Sequence, residues 1–434
     1  MISETPHREA FVWAWLPGAV EPVVAGKLAL DGEHLIFNYG KSYLARENAI
    51  PLYTPELPLQ SGHIPLPRGL SMPGCIRDGS PDAWGRRVII NRKLGVKGAN
   101  ADPARLDELT YLLESGSDRV GALDFQRSAT EYVPRRAEGA SLQQLVQAAD
   151  LIERGISLST ELDQALQHGT SLGGARPKAQ IDDGDRKYIA KFSSTNDLYS
   201  VVKAEYVAMR LATLCGLNVA KVSLTRSLNK DVLLVERFDR LYSEAGVQRH
   251  MMVSALTMLA LDEMMARYAS YEDLAELIRH RFADASTTLR ELFSRLVFNI
   301  LCGNTDDHAR NHAAFWDGET LRLTPAYDIC PQNRTGREAS QAMLIVSGDR
   351  MSRISSCLNS AGHFLLSREA AVAIVEHQID RIQQHWEAVC TEAEFSETDR
   401  ALLWGRQFLN PYAFEDLEGD AAGLRAMVDS EGNA

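Results

Sequence analysis

A segment in the C-terminal half of the chain concentrates polar groups that can do chemistry. It reads LCGNTDDHARNHAAF over residues 301–315 and holds two aspartates, two histidines and two asparagines between apolar flanks. Asp306 and Asn311 have the spacing at which the catalytic loop of protein kinases places its base and a metal-binding asparagine. Downstream, the strand-like run LRLTPAYD leads to Asp328, which suits a second oxygen ligand for Mg²⁺. The segment therefore favours phosphoryl transfer.

Two alternatives compete with phosphoryl transfer at this segment. His308 and His312 are four residues apart, as zinc-binding histidines on a helix are. However, Ala309 and Arg310 follow His308 where the zinc motif has a glutamate, and no third ligand is apparent, so a metal hydrolase is the weaker hypothesis. The other alternative is a polar loop whose side chains make ordinary hydrogen bonds. We expect His308 to orient Asp306 and assign no role to His312.

A glycine-rich segment, GTSLGGARPKAQI, spans residues 169–181. Adjacent glycines permit a tight turn whose backbone N–H groups can point at phosphate oxygens. The segment does not fit the Walker A pattern, and an ordinary glycine turn explains it equally well when it is considered alone. If it covers a nucleotide, the contributing residues are Ser171, Gly173, Gly174, Ala175 and Lys178.

A strand-like segment with a lysine in its middle follows the glycine-rich segment. Lys191 lies in RKYIAKFSS, and the next segment, DLYSVVKAEYVAMRLATLCG, has helical spacing of apolar residues and carries Glu205. Protein kinases pair a strand lysine with nucleotide phosphates and hold that lysine with a helix glutamate. An exposed strand lysine and a solvated helix acid are the ordinary alternatives.

The next strand-like segment, DVLLVERFDR over residues 231–240, becomes polar at Glu236. At this point in the chain order, a kinase passes from its sheet lobe to its helical lobe through a hinge whose backbone holds adenine. Glu236, Arg237 and Phe238 are the hinge candidates, and a local pairing of Glu, Arg and Asp at a strand end is the alternative. Each of these motifs is weak alone, but together they follow the kinase order.

The spacing of apolar residues predicts two kinds of structure along the chain. FVWAWL, GKLALDG and HLIFNYG near the N-terminus predict strands of a small antiparallel sheet, and nearly every segment after residue 250 has the helical period. We predict an α+β, protein-kinase-like fold with two lobes and an extra small β-rich subdomain. Its segments are an N-terminal α+β subdomain (1–135), a kinase N-lobe-like region (136–245) and an all-helical C-terminal lobe (246–434).

The composition excludes several classes of function. The formal net charge is −12 and basic residues form only short clusters, so direct binding to DNA is disfavoured. Apolar runs stay shorter than the roughly 18 residues that would indicate a membrane helix. The six cysteines are widely spaced without a C-x-x-C pair, which indicates reduced thiols and predicts a cytoplasmic protein.

Taken together, these motifs resemble the HipA family of bacterial toxin kinases. DRVGALDF is similar to the signature of the family's N-terminal domain, and DGSPDAWGRR to its loop-to-helix segment. SLGGARPK resembles the serine-containing glycine-rich loop, VERFDR the hinge, NTDDHARNH the catalytic loop and PAYD the metal-binding motif. The resemblance spans most of the chain.

The resemblance implies an ATP- and Mg²⁺-dependent serine/threonine-protein kinase that is the toxin of a type II toxin–antitoxin system. By position, Asp306 would be the catalytic base, and Asn311 and Asp328 the Mg²⁺ ligands. Lys191 would contact the nucleotide phosphates, with Lys178 assisting.

In the family, a serine of the glycine-rich loop is phosphorylated by the kinase itself, which expels the loop and switches off ATP binding. Ser171 corresponds to that serine. A phosphate there would add about two negative charges beside a site built for anionic ATP. The resemblance thus implies autophosphorylation on Ser171.

The resemblance also implies partners. Family members bind a small helix-turn-helix antitoxin, HipB, and a similar antitoxin would supply the DNA-binding surface that this acidic chain lacks. Known substrates of the family include aminoacyl-tRNA synthetases, notably the glutamyl enzyme. Two alternatives stay open: a small-molecule kinase, and a catalytically weak co-repressor scaffold bound to a DNA-binding antitoxin.

Two features depart from the pattern of the family. Asp307 adds a second carboxylate that can compete with Asp306 for the role of base. Arg176 and Pro177 replace a more usual polar pair in the glycine-rich loop, and proline removes a backbone donor and stiffens the chain. This change would alter ATP affinity or the exposure of Ser171.

Overall fold

The N-terminal sheet is built from four strands, of which the last is buried along its whole length. A computed structural model describes residues 7–95, 102–135, 140–156, 158–166, 174, 176–184, 186–194, 197, 199–334 and 336–429. The strands are β1 (Glu9–Ala14), β2 (Val23–Asp31), β3 (His34–Tyr39) and β4 (Leu123–Gln126), in the order β3-β2-β1-β4. All neighbours are antiparallel. The three strands predicted near the N-terminus are confirmed.

Four helices accompany this sheet in the chain: α1 (Lys41–Leu44), α2 (Gly74–Arg77), α3 (Ala83–Leu94) and α4 (Glu108–Glu114). Helix α3 ends at Gly95, whose φ of 63° is the left-handed conformation that glycine adopts after a helix. Asp107 begins α4 by accepting a hydrogen bond from the Thr110 N–H group at 2.8 Å. These local signals explain where α3 stops and where α4 starts.

A second sheet carries the predicted nucleotide-binding residues. Its strands are β5 (Lys178–Asp183), β6 (Arg186–Phe192), β7 (Val222–Ser227) and β8 (Lys230–Glu236), in the order β5-β6-β8-β7. Helices α5 (Leu142–Glu153) and α6 (Thr160–Leu166) precede it, and the hairpin of β9 (Arg240–Ser243) and β10 (Gly246–Arg249) follows. Trp84 of α3 packs with Ala190 and Phe192 of β6 and with α5 in one apolar core.

The remaining helices lie in the C-terminal half, except α7 (Val201–Leu214). They are α8 (Ala255–Met258), α9 (Tyr271–Arg281), α10 (Ala285–Leu301), α11 (Ile354–Ser360), α12 (Arg368–Glu392), α13 (Glu397–Leu403) and α14 (Gly423–Asp429). Strands β11 (Met252–Ser254), β12 (Ala313–Trp316) and β13 (Leu321–Leu323) form a sheet in that order. The C-terminal region is therefore not all-helical, and that prediction was wrong. The sequence did not reveal these strands because they are too short to show a period of their own.

Contacts divide the chain into two units. Unit 1 comprises Met1–Asp197, Thr225–Val253 and Phe315–Glu319, and unit 2 comprises Leu198–Leu224, Ser254–Ala314 and Thr320–Ala434. The three segments predicted from the sequence are a finer division and stay a prediction. Among the described residues, none of the helices combines the length and apolar character needed to cross a membrane.

A buried cluster of arginine and aspartate side chains, the Arg–Asp cluster, lies inside unit 1. Arg237 donates to both carboxylate oxygens of Asp239 at 3.0 and 2.8 Å and to Asp118 at 3.2 Å. Arg240 donates to the same two aspartates at 2.9 and 2.8 Å, and the Gly121 N–H group donates to Asp239 at 2.8 Å. The cluster thus joins the segment before β4 to the segment after β8.

Acid titration is expected to weaken the Arg–Asp cluster. Burial by itself would raise the pKa of Asp239, but Arg237 and Arg240 outweigh it and lower the pKa to about 2. The same arginines with Lys187 lower the pKa of Asp118 against its burial. A depressed carboxyl pKa gives stability that is complete above the unfolded pKa of about 3.9 and is lost as the pH falls through the folded value.

The measurement is the free energy of unfolding between pH 6 and pH 2.5. We expect it to fall below about pH 4 with a slope of about 1.4 kcal/mol per pH unit for each of the two carboxyls. Asp239→Asn removes one titrating group and should make the decline shallower. An unchanged slope in this variant would contradict the assignment of the acid sensitivity to the cluster.

Candidate active site

The loop with the densest chemistry begins where α10 ends, and its first turn is fixed by packing. Gly303 has a φ of 72°, and a Cβ added there would lie 2.8 Å from the Gln407 carbonyl oxygen, so only glycine fits. The Asn304 side chain then donates to the Asn299 side chain at 3.0 Å, and Gln341 donates to the Asn304 carbonyl at 3.2 Å. The loop therefore starts from a rigid base.

A local turn brings together the two residues that have kinase spacing. The Asn311 N–H group donates to the His308 carbonyl at 2.8 Å, and the Asn311 side chain donates to the Asp306 carbonyl at 3.4 Å. Asp306 is exposed, whereas Asn311 is buried. The loop thus presents an accessible Asp306 whose backbone is contacted by the buried Asn311 amide, and the catalytic-loop roles of both residues stay a prediction.

Asp328 is close enough to influence Asp306 electrostatically. Partial burial raises the pKa of Asp306, His308 opposes this, and the charges of Asp328 and Asp307 raise it further. Asp328 has a left-handed backbone with a φ of 60°, a sparsely populated conformation that aspartate tolerates better than most residues. Asp306 and Asp328 of unit 2 are therefore close enough for their charges to interact, and the oxygens of an aspartate such as Asp328 and of an amide such as Asn311 are ligands that suit Mg²⁺.

The backbone around Asp328 is held by hydrogen bonds to two other segments of unit 2. The Ala326 N–H group donates to the Asn218 carbonyl at 2.8 Å, and the Ala220 N–H group donates to the Ala326 carbonyl at 2.9 Å. The Tyr327 hydroxyl donates to the Arg310 carbonyl at 2.7 Å. These bonds tie the segment of Asp328 to the loop of Asp306.

The second aspartate of the loop is in a different environment. Asp307 is 2% exposed, accepts a hydrogen bond from the Tyr271 hydroxyl, and lies 3.0 Å from His312 Nε2. Burial would raise the pKa of Asp307, but His312 and Tyr271 outweigh it and lower the pKa. Asp307 is thus ionised but inaccessible to a substrate, and this burial favours Asp306 over Asp307 as the base.

The zinc alternative is not supported by the loop geometry. His308 directly precedes a turn and His312 directly precedes β12, so the two histidines do not share one face of a helix, and His312 is engaged with Asp307. Within the part of the chain that the structure describes, no group of three or more His, Cys, Asp or Glu residues could hold a metal ion. His308 lowers the pKa of Asp306 through its charge, and its predicted orienting role stays a prediction.

The predicted phosphate-binding lysines are neighbours in the second sheet. Lys178 of β5 lies opposite Lys191 of β6, so both side chains project from one face of the sheet. Lys178 is buried and Lys191 is half-buried, and the carbonyl of Lys178 accepts a hydrogen bond from the Trp84 indole at 3.0 Å. This face of unit 1 therefore holds two adjacent cations.

The glycine-rich loop is described only in part. Ser171, Gly173 and Ala175 lie outside the described residues. Gly174 has a φ of 99°, and a Cβ added there would collide with the Lys178 ammonium group. Arg176, which departs from the family pattern, pairs with Asp197 at 2.6 Å.

The hinge candidates have distinct environments. Glu236 ends β8 and lies 3.4 Å from Arg186. The Arg237 N–H group donates to the Lys187 carbonyl at 2.8 Å, and the guanidinium belongs to the Arg–Asp cluster, so the pairing at a strand end does occur. The Arg237 side chain is therefore committed to the fold, while a hinge role for the backbone and for Phe238 stays a prediction.

Glu205, the predicted partner of the strand lysine, belongs to unit 2 whereas Lys191 belongs to unit 1. Glu205 is 3% exposed in the middle of α7, so it is not the solvated helix acid of the alternative interpretation. Its role toward Lys191 stays a prediction.

Sequence reasoning missed three residues that hold these sites together. Tyr271 and His312 bind Asp307, and Trp84 donates through its backbone N–H group to the Gly174 carbonyl at 3.4 Å. The tryptophan within DGSPDAWGRR was a visible signal, but its partner lies some 90 residues away in the sequence. Tyr271 carried no local signal, and His312 was noted only for its spacing from His308.

Comparisons with known proteins agree with this arrangement. A family model described as the HipA-like C-terminal domain matches residues 170–386, and one described as the HipA N-terminal domain matches residues 19–126. These two segments include the glycine-rich loop, the catalytic loop and the Arg–Asp cluster.

Individual relatives are distant in sequence. The protein named "Putative kinase Y4mE" of Sinorhizobium fredii is 29% identical over 324 residues, which cover 68% of this chain and 71% of the relative. The "Serine/threonine-protein kinase toxin HipA" of Shewanella oneidensis is 24% identical over 183 residues, or 37% of this chain and 42% of that protein.

A solved structure shares the fold. A chain of the toxin–antitoxin complex of HipA, HipB and operator DNA from Shewanella oneidensis superposes with a TM-score of 0.66 at 20% sequence identity. The superposition covers 94% of this chain and 100% of that one. With the fold shared and both domain models matched in the expected order, the chain belongs to the HipA family.

Proposed function

We propose that this protein is an ATP- and Mg²⁺-dependent serine/threonine-protein kinase. The observation that carries the proposal is the convergence in unit 2 of the exposed Asp306, the Asn311 amide and the charge of Asp328. Phosphoryl transfer needs a carboxylate near the acceptor hydroxyl and oxygen ligands for a divalent cation, and this set supplies both. Relatives named as kinases support the same reaction.

The residues fit a divalent cation on electrostatic grounds. Asp328 raises the pKa of Asp306 by charge repulsion, and a bound cation would relieve that repulsion. Asn311 and Asp328 would hold Mg²⁺, which neutralises the charge of the transferred phosphoryl group. Asp306 would orient the acceptor hydroxyl and take up its proton at a carboxylate oxygen.

The cationic face of unit 1 is proposed to contact the nucleotide phosphates. Lys178 and Lys191 lie side by side, and paired cations attract a polyanion such as ATP. Glu205 is proposed to orient Lys191, and the backbone after Glu236 to hold the adenine. Because catalysis of phosphoryl transfer is largely positioning and electrostatics, these contacts would supply much of the rate enhancement.

The biological role is proposed from the family. The relative solved in complex with HipB and operator DNA supports a helix-turn-helix antitoxin as partner, with DNA contacted through it. We propose that the protein is a toxin that phosphorylates a translation enzyme such as glutamyl-tRNA synthetase or another aminoacyl-tRNA synthetase. We also propose autophosphorylation on Ser171 as its means of self-inactivation.

Phosphosite mass spectrometry after incubation with ATP and Mg²⁺ tests the reaction and the switch together. Phosphate on Ser171 in the wild type, absent in Asp306→Ala, is the expected result. Phosphate elsewhere that is also lost in Asp306→Ala would keep the kinase and reject the switch. Absence of both phosphate and nucleotide binding in the wild type would reject the kinase in favour of a co-repressor scaffold.

Protein and small-molecule acceptors are separated by one further measurement. A lysate is separated at about 10 kDa into macromolecules and small molecules, and each fraction is incubated with the wild-type protein and ATP labelled in its γ-phosphate. We expect transfer of the label only to macromolecules. Label confined to the small-molecule fraction would replace the protein kinase with a small-molecule kinase.

Gly174→Ala is expected to weaken ATP binding about tenfold. The new Cβ would displace the Lys178 ammonium group, and charged phosphate contacts of this kind contribute about 1.5–3 kcal/mol each. Gly184→Ala is the matched control, because Gly184 also has a positive φ (58°) but nothing lies within 4 Å of its Cβ position. Calorimetric titration with ATP measures both, and equal losses of affinity would contradict the proposed role of Lys178.

A further inference from the structure

The loop that carries Asp306 and Asn311 is closed at its base by two side chains that take no part in the proposed chemistry. His312 Nε2 lies 3.0 Å from Asp307 Oδ2, and the two side chains are 3% and 4% exposed. Asp307 directly follows Asp306, and His312 directly follows Asn311. The hydrogen bond between them therefore ties together the two ends of the reactive segment.

Tyr271 anchors this bond to the helical part of unit 2. Its hydroxyl donates to the same Asp307 Oδ2 and lies 3.4 Å from His312 Nε2, with the two rings 5.4 Å apart and nearly perpendicular. An ionised carboxylate only accepts hydrogen bonds, so Tyr271 and His312 both donate to it. Tyr271 is fully buried at the first position of α9.

Further hydrogen bonds extend from this group into neighbouring elements. The Asn299 side chain of α10 accepts a hydrogen bond from the Asn304 side chain at the start of the loop at 3.0 Å. The N–H group of Ala255 in α8 donates to the His312 carbonyl at 2.7 Å. Helices α8, α9 and α10 thus all hold the base of the loop.

The hydrogen bond between the Asn311 side chain and the Asp306 carbonyl is weak compared with the buried hydrogen bonds of Asp307. The Asn311 side chain reaches the Asp306 carbonyl at 3.4 Å, near the limit of a hydrogen bond. That contact alone would not fix the distance between the Asp306 carboxylate and the Asn311 amide. The buried hydrogen bonds one residue further along the chain at each end are better placed to do so.

We propose that Tyr271, Asp307 and His312 are positioning residues that hold Asn311, one of the two proposed Mg²⁺ ligands, in place within the loop and thereby set the affinity of the site for its divalent cation. The inference rests on the proposed function and deepens it. Groups that orient metal ligands in this way typically change metal affinity 10–100-fold when removed. A buried carboxylate is costly to desolvate, and apolar residues would fill the same space without that cost, so packing alone does not account for the set.

The test compares metal binding in folded variants. Mn²⁺ binding in the presence of ADP, followed by electron paramagnetic resonance, is measured for wild type, Asp307→Asn, His312→Asn and Tyr271→Phe. We expect the Kd for Mn²⁺ to rise about 10–100-fold in the first two variants and by less in Tyr271→Phe, which loses one oxygen atom. The half-saturating Mg²⁺ concentration for phosphoryl transfer should rise in parallel, while the Kd for ADP without metal stays constant.

Gln378→Leu is the control for a merely structural effect. Gln378 is equally buried in unit 2, and its side chain donates to the Ser294 carbonyl at 2.9 Å, outside the loop. This variant should lower the unfolding midpoint without changing the Kd for Mn²⁺. If Asp307→Asn or His312→Asn does not fold, Tyr271→Phe carries the test.

The outcomes separate this inference from the proposed function. A wild type that binds Mn²⁺ and transfers phosphate, with variants whose Kd for Mn²⁺ is unchanged, would reject the positioning role alone. A shift of similar size in Gln378→Leu would also reject it, since the effect would then be one of general stability. A wild type that neither binds Mn²⁺ nor transfers phosphate would reject the proposed function and the inference with it.

Discussion

Replacing Asp306 with asparagine is expected to lower kcat for phosphoryl transfer by about 10³-fold, within the range that a positioned general base contributes. Asparagine keeps the shape of the side chain but cannot take up the proton of the acceptor hydroxyl. KM for ATP should change little, because Asp306 is the exposed member of the set and is not proposed to contact the nucleotide. Steady-state kinetics with a phosphorylatable acceptor measures both constants.

Asp380→Asn provides the matched control for this loss. Asp380 is an exposed aspartate of α12 in the same unit, so its substitution makes the same change of charge outside the loop. Its kcat should equal that of the wild type. An Asp306→Asn variant with near wild-type kcat would contradict the assignment of the base, whatever the result for the control.

Replacing Arg237 with methionine is expected to destabilise unit 1 by about 3–5 kcal/mol, the usual cost of removing one partner from a buried charge cluster. The guanidinium, 1% exposed, bonds to Asp118, to Asp239 and to the Arg119 carbonyl at 2.7 Å. Methionine fills a similar volume but leaves both carboxylates with one cation fewer. Urea unfolding followed by tryptophan fluorescence measures the loss.

Arg186→Met is the control for the stability experiment. Arg186 is an exposed arginine that lies 3.4 Å from Glu236 at the end of the same sheet. Exposed ion pairs typically contribute less than about 1 kcal/mol, so this variant should unfold close to the wild type. Similar small losses in both variants would show that the Arg–Asp cluster is unimportant for the stability of unit 1.

The proximity of Asp306 and Asn311 was predictable because the geometry is local, whereas their catalytic roles stay a prediction. Asp306 and Asn311 are brought together by a turn within six residues, so their spacing in the sequence already contained the relation. Asp328 lies further along the chain, beyond β13. The apolar run before it indicated a strand-like segment that leads to this residue. The spacing of these residues and the order of their segments were therefore sufficient to select them as candidates.

The buried network beneath the loop was not predictable, because its contacts are long-range. Tyr271 is 36 residues before Asp307, and a tyrosine at the start of an amphipathic helix indicates only a core position. The sequence assigned no role to His312 and left Asp307 as a competing base; burial distinguishes Asp307 from Asp306, and burial depends on the tertiary fold.

Arg237 shows a related limit of sequence reasoning. Its place after an apolar strand indicated a hinge, whereas its guanidinium bonds to Asp118, which is 119 residues away in the chain. A polar residue at the end of a strand can face a ligand or another part of the fold, and the strand pattern is the same in both cases. Only the tertiary contacts distinguish the two.

The Arg–Asp cluster has a consequence for how such proteins evolve. Asp118 lies in the segment matched by the N-terminal domain model, whereas Arg237 and Arg240 lie in the segment matched by the C-terminal one. Recombination that exchanged one segment between relatives would leave buried charges unpaired, unless the new segment supplied the same charged residues at the positions of the cluster. Two genes encoding the segments separately would produce chains that associate through opposite charges, and salt would weaken that association until the charges were buried. The two segments are therefore expected to be inherited as a matched pair.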